Sequence, residues 1–384
     1  MAKNPIGAVL ALSAVSAVAL LILNLQPVFI GSVARKFGLN DVELGYFATP
    51  PLIASFLVFA SAPFWLNLLP IRMMIYLGSV LSILALVAMA LSNTILPLTI
   101  SFACYAVGVS IVQVPALVAL GRMPDSESSF GVYVTASLVL AGVMAFLVPT
   151  LVEPTFGFNG FLYLILVATL GSAALVQQIP KDDTQADAPA AATVNDISGG
   201  GNAIAALAAL VIFYLGIIGA WAFLERVGVQ AGLDAQELGL SFAGALLIGS
   251  AGPLAAAYFG DRIPTGVATM MTGAMFALFA ALLLIEDVNP LKFALALVSF
   301  NIAWNFGIPY FLAITGRADA NGRALALAPA AMTLGAAGGP ALAGNLLSAQ
   351  GSAGLIAAFG LVLAISFAMF VWVDRRSAAV RMSL

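Results

Sequence analysis

The chain is 384 residues long, 62% hydrophobic and 8% charged, with a net charge of −3. Soluble domains carry roughly 25% charged residues, so the apolar character must extend to the surface, which excludes an ordinary water-soluble protein. There is no histidine and a single cysteine, Cys104; this excludes Cys/His metal sites and intrachain disulfides, no metal or cofactor is expected, and no basic patch points to nucleic acid.

The apolar segments run unbroken for about twenty residues instead of alternating, which selects helices over a barrel. A bilayer core needs ~20 apolar residues per helix. The first predicted span, 6–33, follows Lys3, is too long for a signal core and is read as uncleaved; it carries Asn24, Gln26 and Pro27. Spans follow at 43–66, 72–93, 96–120 (with Cys104, read as inert packing, and Gln113 and Pro115), 130–152 (with Tyr133, Thr135 and Ser137) and 157–178. Residues 179–202 hold Lys181, Asp182, Asp183, Asp187 and Asp196 and end in a glycine run, the composition of a flexible linker. The second set is 203–226, ending in Trp221-Ala222-Phe223-Leu224-Glu225-Arg226, then 237–259, 265–285, 291–315, 324–347 and 353–373. The expected domains are thus 1–178, the linker 179–202, and 203–384.

Lysine and arginine set the orientation. With the N-terminus inside, Lys3, Arg72, Arg122, Lys181, Arg262, Arg317, Arg323, Arg375, Arg376 and Arg381 face the cytoplasm, and Arg35, Lys36 and Lys292 face outward. Both termini are expected to be cytoplasmic, in a cell inner membrane.

A shift of 194 residues aligns the first two helices of each set of six without a gap. Gly38-Leu39 falls on Gly232-Leu233, Glu43-Leu44-Gly45 on Glu237-Leu238-Gly239, Leu52 on Leu246, Ala62 on Ala256 and Pro70 on Pro264. Charged residues are rare here, so the coincidence of Glu43 with Glu237 argues for duplication over chance. Two halves with the same topology imply parallel repeats about an axis along the membrane normal.

Six plus six helices, a central cytoplasmic linker and parallel halves resemble the major facilitator superfamily over nearly the whole chain. The loop after the second helix of each half is similar to the family's Gly-X-Leu-Ala-Asp-Arg-X-Gly-Arg-Arg motif. Its acidic position is Asn67 and its last arginine Arg72 in the first half, and Asp261-Arg262 is the Asp-Arg pair in the second, where Gly266 replaces the last arginine. The resemblance implies a gating role for these four residues; a positive-inside loop alone is the other reading. Gly335 to Gly344 is similar to a glycine-proline run that the family often carries in its fifth helix; here it is read as close helix packing. The arginine that many members carry in helix 4 is absent, Cys104 and Tyr105 standing near its place.

The resemblance implies an all-α integral membrane protein of twelve transmembrane helices in two six-helix bundles. It also implies secondary active transport of a small organic solute by alternating access, with helices 1, 4, 7 and 10 lining a central cavity. Candidate substrate contacts are therefore Asn24, Gln26, Gln113, Tyr133, Trp221, Asn301, Trp304, Asn305 and Tyr310. Asn301 and Asn305, four residues apart, share a helix face; an interhelical clamp is their alternative role. Glu225 is a candidate proton carrier and Arg226 a candidate anion contact, or the two form an interfacial pair. The expected partners are the small solute, protons if transport is coupled, and the lipid bilayer, with the protein a monomer. No nucleotide-binding loop is present. A membrane enzyme would call for clustered acids, histidine or a nucleophile with its base, so no enzyme is expected; a sensor or lipid-handling protein on a transporter fold is the alternative function.

Overall fold

The computed structural model describes residues 6–179, 200–284, 288–319 and 323–382; most of the predicted linker, with Lys181, lies outside them, as does Lys3. The described chain is all helical. Its elements are α1 (Ile6–Ala19), α2 (Leu21–Asn24), α3 (Gln26–Phe37), α4 (Asp41–Trp65), α5 (Ile71–Leu91), α6 (Ile95–Gly121), α7 (Ser126–Leu147), α8 (Glu153–Leu175), α9 (Gly200–Gln230), α10 (Ala235–Gly249), α11 (Ala251–Phe259), α12 (Thr265–Leu284), α13 (Pro290–Arg317) and α14 (Arg323–Met382). Among the described residues, nine helices are long and apolar enough to cross a membrane.

The first predicted span is not one straight helix. Its axis breaks at Leu20 and Leu25, giving α1, α2 and α3 in series. Pro27 lies just past the second break, and its missing N–H leaves the Leu23 carbonyl without the donor a regular helix would supply. Conversely, the predicted pairs of spans at 130–178 and 324–373 run almost without interruption. α14 has 60 residues, about 90 Å if straight, three times a bilayer core of roughly 30 Å. It bends at Gly351, whose φ of 67° and ψ of −172° belong to a region that is essentially glycine's alone. α8 bends in the same way at Gly157, at φ 62° and ψ −163°, just after a π-helical turn over Val148–Val152.

The 194-residue offset reappears in backbone geometry. It separates Gly157 from Gly351, and Gly38 (φ 67°) from Gly232 (φ 86°), both left-handed residues after a helix. It also explains why Glu43 and Glu237 coincide. Each is the third residue of a capping box: Asn40 Oδ1 accepts from the Glu43 N–H at 3.0 Å while Glu43 Oε2 accepts from the Asn40 N–H at 2.9 Å. Asp234 and Glu237 repeat this at 2.8 and 2.9 Å. Such boxes satisfy donors that a helix start leaves open.

Glycines let the helices of the first segment (α1–α8, before residue 180) approach those of the second (α9–α14, from residue 200). On α14, a Cβ at Gly344 would overlap the Asp41 carbonyl of α4, and one on Gly45 of α4 would lie 2.6 Å from the Pro340 carbonyl. Gly142 of α7 and Gly239 of α10 meet Leu247 and Pro149 in the same manner. Gly335 and Gly339 bring α14 onto the backbone of α9, so the glycine run after Gly335 packs helices closely, as read from the sequence. These α4–α14 and α7–α10 contacts gather toward one end of the bundle, called here the Arg35 end; the opposite end, where residues 179 and 200 lie, is the linker end.

Candidate functional site: a cavity between the two segments and its charged closure

A cavity of about 160 Å³ lies between the first and second segments, bordered by α2, α3, α4, α6, α9 and α14. Most of its wall is apolar. Its polar contributors are Gln26, Ser55, Tyr105, Ser110, Gln113, Tyr214 and Thr333, and among the described residues no charged side chain lines it. Gln113 Nε2 donates to the Tyr133 hydroxyl at 2.9 Å, and Ser110 donates to Ser55 at 3.1 Å. Gln26 Oε1, Gln113 Oε1 and the Tyr105 hydroxyl are buried with no hydrogen bond from the protein. Buried polar groups nearly always find a partner; these three, on residues that border the cavity, have none from the protein.

Gln26 and Gln113, two of the sequence candidates, therefore border the cavity. Tyr133 is held by Gln113, and Trp304 packs edge-on to Trp221 at 6.3 Å without bordering the cavity. Asn24 is half-buried, its Nδ2 without a partner. The helix-10 amides turn elsewhere. Asn301 Nδ2 donates to the Leu297 carbonyl at 3.1 Å and Asn305 Nδ2 to the Asn301 carbonyl at 2.9 Å. Their side chains press on Gly249 and Gly252 beside and within α11. Two asparagines one turn apart do share a face, but the face meets α10 and α11 and does not border the cavity. Tyr310 packs in a separate cluster with Ala256, Ala268 and Phe306, its hydroxyl toward the Gly260 carbonyl at 3.4 Å.

Trp221 is fully buried, about one turn along α9 from the cavity-lining Ile218. Its Nε1–H donates to the Leu23 carbonyl at 3.2 Å, the carbonyl that Pro27 deprives of a helical donor. The indole packs edge-on to Phe242 at 5.5 Å and stacks on Phe300 at 5.8 Å. The Leu23 carbonyl is thus the acceptor by which α9 is fastened to α2 across the interface.

Beyond Trp221 stands a cluster of charges. Glu225 and Arg226 do not pair with each other. Glu225 Oε1 accepts from Arg35 Nη1 at 2.6 Å, and Arg226 Nε donates to Asp41 Oδ1 at 2.9 Å. Successive helical residues point about 100° apart, which sends the two side chains to α3 and α4 respectively. Arg35 also grips Glu153 with Nε at 3.2 Å and Nη2 at 2.8 Å, a two-pronged geometry typical of arginine–carboxylate pairs. Ser32 donates to the same carboxylate at 3.0 Å. The Glu225 carboxylate, 3% exposed, fits only because residue 31 is glycine: a Cβ there would overlap it. Sequence reasoning identified Glu225 and Arg226 but missed Arg35, Asp41 and Glu153 as their partners. The available signal was that Arg35 and Asp41 are charges at the ends of neighbouring spans on the side where Glu225 lies.

Among the described side chains, Asn67, Arg72 and Arg262 make no such cross-segment ion pair. Asn67 is exposed. Arg72 lies over the Tyr76 ring at 5.9 Å, and Arg262 over the Tyr258 ring at 4.8 Å while donating to the Tyr258 carbonyl. The Asp261 side chain lies outside the described residues. The linker end is looser: from Leu52 to Trp65 no residue of α4 is buried. The ion pair at that end, Arg317–Asp374 at 3.1 Å, stays within the second segment.

Against solved structures, this arrangement is well populated. A D-xylose–proton symporter matches with a TM-score of 0.73 at 15% identity, covering 98% of this chain and 97% of its own. A bacterial homolog of the human lysosomal transporter Spinster, in an inward-facing and unoccupied conformation, matches at 0.70 and 13% identity, with 97% of each chain covered. The chain has a major facilitator fold. A peptide transporter, POT, matches at 0.70 and 12% identity, covering 96% of this chain and 94% of its own. No family model and no curated protein matches the sequence.

Proposed function

We propose that this major facilitator-fold protein is a secondary transporter that moves a small, uncharged organic solute by alternating access. The observation that carries the reading is the cavity between the two segments, mostly apolar with a few unmet polar groups, beside an interface that the Trp221 bond to Leu23 and two ion pairs hold together at one end. Its volume is near that of an engineered cavity that takes up one benzene (about 150 Å³), which favours a compact ligand. The absence of charge on its wall favours a neutral one, and amides and a phenol suit hydrogen bonding to hydroxyl or amide groups. Gln26, Gln113 and Tyr105 are the proposed direct contacts, with Tyr133, Tyr214 and Trp304 positioning them. Asn24 completes the set, while Asn301, Asn305 and Tyr310 support helix packing behind it.

The proposed architecture is twelve spans in two six-helix halves, 1–178 and 203–384, joined by the 179–202 linker. It counts α1 to α3 as one span and α10 with α11 as another, and divides the α7–α8 run and α14 at Gly157 and Gly351. The 194-residue pairing of backbone features supports it. Placed by the positive-inside rule, the linker end and both termini face the cytoplasm of an inner-membrane protein, so the conformation described is closed outward. In the opposite conformation the Arg35 end opens, and this reading expects Asn67, Arg72, Asp261 and Arg262 to act as the gate at the other end. A proton that neutralises Glu225 would weaken its bond to Arg35, which is the proposed point of coupling. The unit is a monomer, since the two halves already enclose one site.

The test is thermal stabilisation of the purified protein by a panel of neutral organic solutes at two pH values. A ligand that binds only the native state raises apparent stability. A hit should then show counterflow in proteoliposomes, lost in Gln113→Ala. Binding without any flux would move the assignment to a sensor.

A further inference from the structure

On an exposed face of the second segment, α12 and the last third of α14 enclose a groove of about 580 Å³. Its floor is shaped by Gly273, where a Cβ would come to 3.4 Å of the Phe367 ring; Met270 and Val371 continue the apolar wall. At the linker end the groove is closed by Arg375 and Arg376. Both are exposed, and neither has an acidic partner among the described residues. The adjacent acid, Asp374, is already engaged by Arg317 at 3.1 Å and by the Thr265 hydroxyl at 2.7 Å, so it does not turn back to neutralise them. Arg376 lies 4.5 Å over the Trp372 ring, an arrangement that steers the guanidinium at the edge of the apolar band, where tryptophan favours the membrane–water interface.

An apolar furrow that ends in two uncompensated guanidinium groups matches a molecule with an acyl chain and an anionic phosphate head. We propose that this groove is a binding site for one anionic phospholipid, its phosphate held by Arg375 and Arg376 and one chain lying along Gly273 and Phe367. A free phosphate would satisfy the arginines but leave the furrow unexplained.

The experiment uses the full chain in detergent, titrated with phosphatidylglycerol or with phosphatidylcholine of the same acyl chains. Lipid retention is read by native mass spectrometry and stability by thermal unfolding. Phosphatidylglycerol is expected to be retained as one tight copy and to raise Tm above phosphatidylcholine. Two arginines near a membrane surface contribute about 1 kcal/mol each, so Arg375→Gln with Arg376→Gln should weaken retention roughly thirty-fold. Arg122→Gln, which removes an exposed charge elsewhere, should leave it unchanged. Gly273→Leu, which fills the furrow without touching charge, should also lower retention. Equal stabilisation by both lipids, retention unaffected by the double substitution, or the same Tm rise from inorganic phosphate alone would each overturn the proposal.

Discussion

The two ends of the interface between the segments are built from the same kinds of helix, yet they pack differently. At the Arg35 end α4 meets α14 backbone against backbone through glycines, and α7 and α10 meet where their glycines face the side chains of Leu247 and Pro149, with Arg35–Glu225 and Arg226–Asp41 bridging the contact. At the linker end the corresponding half of α4 has no buried residue between Leu52 and Trp65. Small residues permit close approach; charges placed across it decide which end is held. Interfaces of this kind are bistable, not continuously deformable, so weakening one end should release it as a unit.

The largest effect is expected from Trp221→Ala. It removes the indole bond to the Leu23 carbonyl and leaves a cavity among Phe242, Phe300 and Trp304, a loss of about 3–5 kcal/mol for a buried tryptophan. Thermal unfolding should show it as a large drop in Tm, with the Arg35 end opened to solvent. Next comes Gly344→Val, whose side chain would strike the Asp41 carbonyl. Overpacking typically costs about 1–3 kcal/mol, and because the obstacle is backbone the separation of α4 from α14 should be measurable by site-directed crosslinking. Glu225→Gln should cost about 1–2 kcal/mol, since hydrogen bonds to charged groups are worth about 1.5–3 and the half-exposed Arg35 keeps Glu153 as a partner. Gly31→Ala should reproduce that change by displacing the carboxylate. If it does not, the bond at Glu225 is not what holds the end. The smallest effect belongs to Asp41→Asn, where a double-mutant cycle with Arg226→Gln should give a coupling below about 1 kcal/mol.

Much of the scaffold was legible from hydropathy alone, because lipid leaves helices as the only way to satisfy the backbone in continuous apolar spans. The predicted 43–66, 72–93 and 96–120 lie within a few residues of α4, α5 and α6. The Glu43 and Glu237 match was visible as letters and is explained by local chemistry, a capping box, which a sequence carries in full. The breaks at Leu20 and Leu25 were less visible, since only Pro27 marks them. The site was legible in part. Gln26 and Gln113 could be chosen as polar groups at membrane depth, but whether Asn301 faced the cavity or α10 depends on helix rotation, which an apolar helix with little periodicity does not encode locally. The partners of Glu225 were hidden for the same reason: Arg35 is 190 residues away, and only tertiary packing brings them together.

The central claim is that the cavity opens to one side of the membrane at a time, with the Arg35 end as the closed side in the conformation described. The direct measurement is thiol labelling of Ser55→Cys, on the cavity wall, in a Cys104→Ser background, with an impermeant reagent applied to right-side-out and inside-out vesicles. Labelling is expected from the linker side in the parent and from both sides once Trp221→Ala or Glu225→Gln is added. Equal labelling from both sides in the parent, or no gain from the Arg35 side in either variant, would contradict the account.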